Sequence, residues 1–338
     1  MTYRFKLQEP IADGVRRIGL EQIDIAAAKL AGKKDDPAVA IHDARRCLKR
    51  LRALLRLVRP GVAETTYRRE TDRLVGIGRM LAGARDLHVM QQTLGKLETR
   101  FGPLPNGAAA QVRKLLAQGR IGRRRAGEDT KRQALSRLEQ ASRLFGGRAV
   151  GAITLEHIAE GLEDTYSKAR KAFRHAYEKP SDEAFHAWRK KVQQHWRHMS
   201  LLSRGWPEAL SARASEAKEL SRLLGEDHDF AVLLAFVSEQ AGKHLEVGDV
   251  EALAKLCRTC QDELRAQARP RGERLFAERP QDLEERVHLY WTNAACLAAL
   301  ARAEAVPKAA ETPAERERST AAAPALGASP AVRRSRRR

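Results

Sequence analysis

The stretch IHDARRCLKRLRALLRLVRP, residues 41–60, carries two helical stripes side by side. A helix advances about 100° per residue, so His42, Arg45, Lys49, Arg52 and Arg56 fall within an arc of about 80°. Ile41, Ala44, Leu48, Leu51, Leu55 and Val58 form an apolar stripe centred about 110° away. About 144 residues later the chain repeats the pattern in FHAWRKKVQQHWRHMSLL, residues 185–202. There His186, Arg189, Lys190, Arg197 and, just beyond, Arg204 flank Phe185, Trp188, Val192, Trp196 and Met199. The two sets are centred about 125° apart and displaced in the same rotational sense. Two like-handed basic stripes, each bordering a core-facing stripe, read as two halves of one anion-binding surface.

Composition agrees with an anionic partner without naming it. Lys and Arg number 63 against 43 Asp and Glu, a net charge of +20 at pH 7. Residues 304–338 hold eight of the cations and four of the anions, so +16 belongs to the remainder. A field of that size attracts polyanions and keeps copies of the chain apart. Basic residues that only solubilise a surface would not stack beside core stripes. No run of 18 apolar residues occurs and the N-terminal MTYRFKLQEP is not a signal peptide, so neither a membrane partner nor export is expected. Four irregularly spaced cysteines point to a reduced, cytoplasmic setting.

Helical periodicity runs almost throughout, and only TYRFKL near the start alternates briefly. Helices are predicted at about 13–32, 38–58, 62–82, 86–100, 108–118, 130–145, 150–177, 181–204, 207–225, 228–243, 248–277 and 280–303, separated by Gly, Pro and Asp breaks. Ser181 with Asp182 is a predicted cap for the second basic helix. Beyond about 304 the periodicity gives way to Ala, Pro, Ser, Glu and Arg, which predicts a disordered basic tail.

A second anchor supports duplication. LAGARDLHVM (81–90) and LLGEDHDFAVLL (223–234) follow the two basic helices. Arg85–Asp86 corresponds to His228–Asp229, and Arg79 to Arg222, at one offset of 143. Two anchors agreeing within one residue point to an internal repeat.

With these segments in this order, the chain resembles the CHAD (conserved histidine α-helical domain) family. Residues 41–60 resemble its first signature and 185–202 its second. The two Gly/Asp-containing segments resemble 81–90 and 223–234, and GLEDTYSKARKAF (161–173), with Arg170, resembles the helix before the second signature. The resemblance covers roughly residues 5–303. It implies an all-α domain over 1–303, built of two four-helix-type halves (about 5–147 and 148–303) around a basic cavity or channel that binds inorganic polyphosphate. It also admits recruitment to polyphosphate granules. Gln193 stands where the second signature commonly has Lys, Arg197 where it often has Tyr, and Ala82 where the first Gly/Asp segment has Gly.

Polyphosphate has no bases to read, so its receptor needs charge density along a track. Arg offers a planar fork to phosphate oxygens and Lys a mobile point charge. The candidate contacts are His42, Arg45, Arg46, Lys49, Arg52, Arg56, Arg79, Arg85, Arg170, His186, Arg189, Lys190, Arg197, Arg222 and His228. Among them Arg46, like Arg50 and Lys191 outside the set, points further round its helix toward solvent. Asp86 and Asp229 read as structural, since a carboxylate repels phosphate. Cys257 and Cys260 have zinc-like spacing without a second pair, and nothing in the sequence joins His195 and His198 to Asp227–His228–Asp229 as a metal site. No phosphate-binding Gly loop, kinase signature or HExxH occurs. The expectation is a binder without catalysis, metal or cofactor, of unspecified oligomeric state. The alternative is a basic helical protein that binds nucleic acid nonspecifically, gripping phosphates with Arg120–Arg125 and Arg333–Arg338.

Overall fold

Leu48, Leu51 and Leu55 are buried as their spacing requires, yet so are Cys47, Ala53, Leu54 and Leu57 on other sides of the same helix. This helix, α2 (Pro37–Leu57), is therefore central, touching α1 (Ile11–Ala31), α3 (Glu64–Met80), α7 (Leu155–Glu178) and α8 (Asp182–Leu202). The basic stripe occupies the gap those neighbours leave. The structure, a computed structural model, describes residues 3–32, 37–81, 83–123 and 127–310, with side chains undescribed at 37–38, 83–86, 105, 119–123, 127–128 and 305–310.

The described residues form an all-helical fold without strands. Besides the helices above these are α4 (Gly83–Phe101), α5 (Ala108–Arg123), α6 (Gly127–Gly146), α9 (Pro207–Gln240), α10 (Val247–Leu275) and α11 (Pro280–Ala310). The alternating TYRFKL is irregular chain where described. Helix α11 runs to Ala310, so the first residues of the predicted tail are helical, in keeping with their Ala-rich composition. The rest of the tail, including Arg333–Arg338, lies outside the described residues.

The predicted helices 207–225 and 228–243 are one 34-residue helix, α9. Gly225 and Asp227, at the predicted boundary, each meet a tertiary partner instead. Asp227 is 1% exposed and accepts a hydrogen bond from Arg265 Nε of α10 at 2.6 Å, so its carboxylate ties two helices together instead of capping one. Gly225 is buried facing Arg189 of α8. At about 1.5 Å per residue α9 spans roughly 50 Å. Its first part packs Leu210, Leu220 and Leu224 into the larger core, and its second part packs Phe230, Leu233 and Val237 into a smaller one.

Those two cores place the site. The larger draws on α1, α2, α3, α6, α7 and α8, while the smaller joins α4 and α5 to the later part of α9 and the start of α10. Each therefore combines residues from before and after position 147. Between α2 and α7 the backbones nearly touch: a Cβ on Gly161 would lie 1.9 Å from the Leu57 carbonyl oxygen. Only glycine permits that approach. Nearby, His198 Nε2 sits 2.9 Å from the Ala53 carbonyl oxygen, coupling α8 to α2.

Candidate functional site

The basic face of α2 and that of α8 look into one cavity of about 430 Å³. From α2 come Arg45, Lys49, Arg52 and Arg56; α3 adds Val75, Gly78 and Arg79. From α8 come His186, Arg189, Lys190, Gln193, Gln194 and Arg197, and α9 adds His228. Ser181 holds the start of α8, its hydroxyl oxygen accepting from Ala184 N at 3.1 Å as the sequence predicts.

Eight Arg and Lys side chains thus line the cavity, and no carboxylate does among the described residues. Some are held in place by backbone oxygens. Arg45 Nη1 donates to the Gly78 carbonyl at 3.2 Å, Arg56 Nη1 to the Arg52 carbonyl at 3.2 Å, and Arg197 Nη1 to the Gln193 carbonyl at 2.6 Å. Such bonds orient a guanidinium without neutralising it. Desolvation, followed by nearby cations, pushes the Arg52 pKa below its usual value, and desolvation does the same to Arg56. Arg197 is 7% exposed, and burial first, then Arg50, Arg52 and Arg189, lower its pKa to about 10. It still carries its charge at neutral pH.

His186 and His228 stack with ring centroids 3.9 Å apart. Burial, then Lys190 and Arg189, lower the His186 pKa to about 4; burial, then His186 and the same two cations, lower His228 to about 3. Both rings are neutral at pH 7. Among the described residues Arg52 Nε and His186 Nδ1 are buried without a hydrogen-bond partner. Concentrated like charge and orphaned polar nitrogens cost stability unless an anion answers them.

The structure brings together ten of the fifteen candidate residues, and the other five divide by cause. His42, half-buried at the outer edge of the α2 arc, is not part of the lining. Arg46 pairs with Asp43 at 3.2 Å and lines a different cavity, because it lies about 100° round the helix from Arg45. Arg170 donates from Nε to the Phe276 carbonyl at 3.0 Å, where α10 ends, so it fastens α7 to that turn. Arg222 is exposed and held by Glu219 at 2.7 Å and Glu226 at 2.5 Å, which neutralise it. Arg85, like Asp86, has a side chain outside the described ones. Gln193 and Gln194 also line the cavity; being neutral donors, they carry no charge by which the sequence would single them out.

Other sequence constellations separate in space. Cys257 and Cys260 are buried in the smaller core. His195 accepts from Arg213 Nε at 3.0 Å, whereas His198 lies 3.2 Å from Thr165 Oγ1, so the two histidines serve different helix contacts. No group of three or more His, Cys, Asp or Glu is placed to hold a metal among the described residues. No described helix is long and apolar enough to cross a membrane. The tryptophans divide: Trp188 is fully buried, while Trp196 is half-buried beneath the Arg197 guanidinium, 4.7 Å from its ring.

Residues 18–238 match the CHAD domain family, a span that includes both basic helices and ends within α9. No curated protein matches the chain. Among solved structures it is similar to PptA from Streptomyces chartreusis, with a TM-score of 0.56 and 16% identity over 80% of this chain and 100% of that one. That likeness is one of fold.

Proposed function

Since the chain belongs to the CHAD domain family, we propose that its cavity binds inorganic polyphosphate and holds it without cleaving it. The observation that carries this reading is the set of eight cationic side chains around one cavity whose described lining contains no carboxylate. A flexible, slender polyanion can enter such a space and meet donors on several sides. Arg52 and Arg189 offer guanidinium forks, Lys49 and Lys190 mobile ammonium groups, and the glutamines neutral N–H donors. The neutral histidines can each donate one further hydrogen bond.

Two features favour holding over cleavage. Phosphoryl transfer ordinarily needs carboxylates that position metal ions, and the described lining offers none. The histidines of the described lining are also poor bases for activating water: they stack on each other, with pKa values far below neutrality. Helices α2 and α8, facing one another across the cavity, are corresponding parts of a duplicated unit in this reading, with halves at about 5–147 and 148–303. A cytoplasmic protein of this kind would collect on polyphosphate granules.

Binding of long-chain polyphosphate and release of free phosphate should be followed together. Replacing Arg45, Lys49 and Arg52 by Ala, or Arg189 and Lys190 by Ala, should each weaken binding about tenfold or more, and the combination should nearly abolish it. Full affinity in the combined variant with an unchanged helical spectrum would overturn the site. Phosphate release by the pure protein would overturn the non-catalytic reading, and preference for single-stranded nucleic acid in physiological salt would overturn the choice of ligand.

A further inference from the structure

Arg197 lines two cavities. On its other side lies a second space of about 350 Å³, bounded by the N-terminal segment, α2, the end of α8 and the start of α9. Arg4, Arg46, Arg50 and Lys218 project into it, and no carboxylate is in its described lining. Arg50, which the sequence assigns to solvent, is half-buried here and donates to Gln22 Oε1 at 3.1 Å. Arg4 belongs to no periodic stripe. It arrives because the N-terminal segment is strapped down: Phe5 N donates to the Leu201 carbonyl at 3.0 Å, and Arg17 donates to the Arg4 carbonyl at 3.0 Å.

We propose that this second cavity is a further polyphosphate subsite, continuous with the first through Arg197, so that one polymer chain occupies both. The inference rests on the polyphosphate reading of the first cavity. Three observations support it. First, Arg197 lines both cavities, sharing the first with Arg52 and Arg189 and the second with Arg50. Second, the charge of the second cavity is largely unanswered. A comparable hollow around Arg222, Arg271 and Arg274 is matched by Glu219 and Glu216, at 2.6–2.7 Å, whereas among the described residues the cation of the second cavity that pairs with a carboxylate is Arg46, with Asp43 at 3.2 Å. Third, its polar lining suits bare phosphate better than a nucleotide. The Trp196 ring already has Arg197 at 4.7 Å and Lys218 at 6.0 Å, so it does not offer itself as a base-stacking platform. Ser211 and Ser215, one turn apart on α9 and exposed, add hydroxyl donors.

A ligand that fills only the first cavity should ignore the second. The test compares tripolyphosphate with long-chain polyphosphate on the full chain and on the double variant Arg4→Glu/Lys218→Glu, with folding checked by circular dichroism and thermal melting. Long-chain affinity should fall about tenfold while tripolyphosphate affinity stays within about twofold. Unchanged long-chain affinity, or an equal loss for both ligands, would overturn the second subsite. If the double variant does not fold, Ser211→Asp/Ser215→Asp places carboxylates at the same cavity from an exposed face and must show the same length-dependent loss. The underlying reading is checked separately with Arg52→Gln/Lys190→Gln in the first cavity: if both ligands bind that variant normally, the first site fails, whatever the second does.

Discussion

Arg197 and the stacked histidines show how burial tunes individual side chains here. A guanidinium tolerates desolvation because its pKa starts so high; even lowered to about 10 it stays charged. A histidine starting near 6.5 does not, and His186 and His228 fall to about 4 and about 3. Above about pH 6.5 these rings are neutral both folded and unfolded, and their contribution to stability is full. As pH falls below that value the unfolded chain takes up protons that the folded rings still refuse, so stability is lost toward pH 4 and 3. Bound phosphate acts oppositely, because an anion beside the rings offsets Lys190 and Arg189 and raises both pKa values. Polyphosphate affinity should therefore be flat above about pH 7 and rise as pH falls toward about 5, and the rise should vanish in His186→Gln/His228→Gln. Calorimetric titrations across that range measure it. An affinity that stays level down to pH 5 in the native protein would remove the histidines from the site.

At the scale of elements, glycines decide how closely the basic helices approach their neighbours. Gly161 lets α7 lie against the end of α2, with the Leu57 carbonyl where a side chain would be. Gly161→Ala should cost about 1–3 kcal/mol in urea unfolding, since backbone must move to admit the methyl. Gly225 acts differently: a Cβ there would stand 3.4 Å from Arg189 Nη2, an ordinary contact, and only a longer side chain would displace the guanidinium. Gly225→Leu should leave α9 helical yet weaken polyphosphate binding, whereas Gly225→Ala should bind normally. Equal binding by both variants would show that Arg189 does not need the space. The predicted helices 207–225 and 228–243 part just after Gly225, whereas α9 runs through both Gly225 and Asp227. The partner that gives each its purpose is far along the chain: Arg189 for Gly225, and Arg265 for Asp227.

For the whole molecule, a net charge of +20 sets both partner attraction and self-repulsion. Polyphosphate affinity should fall steeply with salt as counterions are released, and a ligand that answers the cavity charges should raise the melting temperature. Deleting residues 304–338 removes a net +4 and leaves +16. The truncated chain should keep most of its polyphosphate affinity, because the cavity that already holds eight cationic side chains together is left intact. It should also lose much of any weak binding to DNA or RNA, where the nonspecific, salt-screened attraction of the removed net +4 matters more. Filter-binding with both polymers decides this. Polyphosphate binding lost and nucleic-acid binding kept would reverse the roles of cavity and tail.

The sequence alone determined the helical class, the family and the two basic helices, because 3.6-residue periodicity and repeated spacing are local properties of the chain. It also located Ser181 as a cap, whose hydrogen bond spans three residues. It could not reveal that α9 is one continuous helix, that α2 is buried on several sides, or that Arg170 and Arg222 serve structural pairs. Nor could it bring Arg4 and Lys218 together beside Arg197. Those outcomes depend on which acid or carbonyl, distant in the chain, meets each cation. A stripe of like charge says only that an anion is wanted, and tertiary packing decides whether a glutamate or an open cavity answers it.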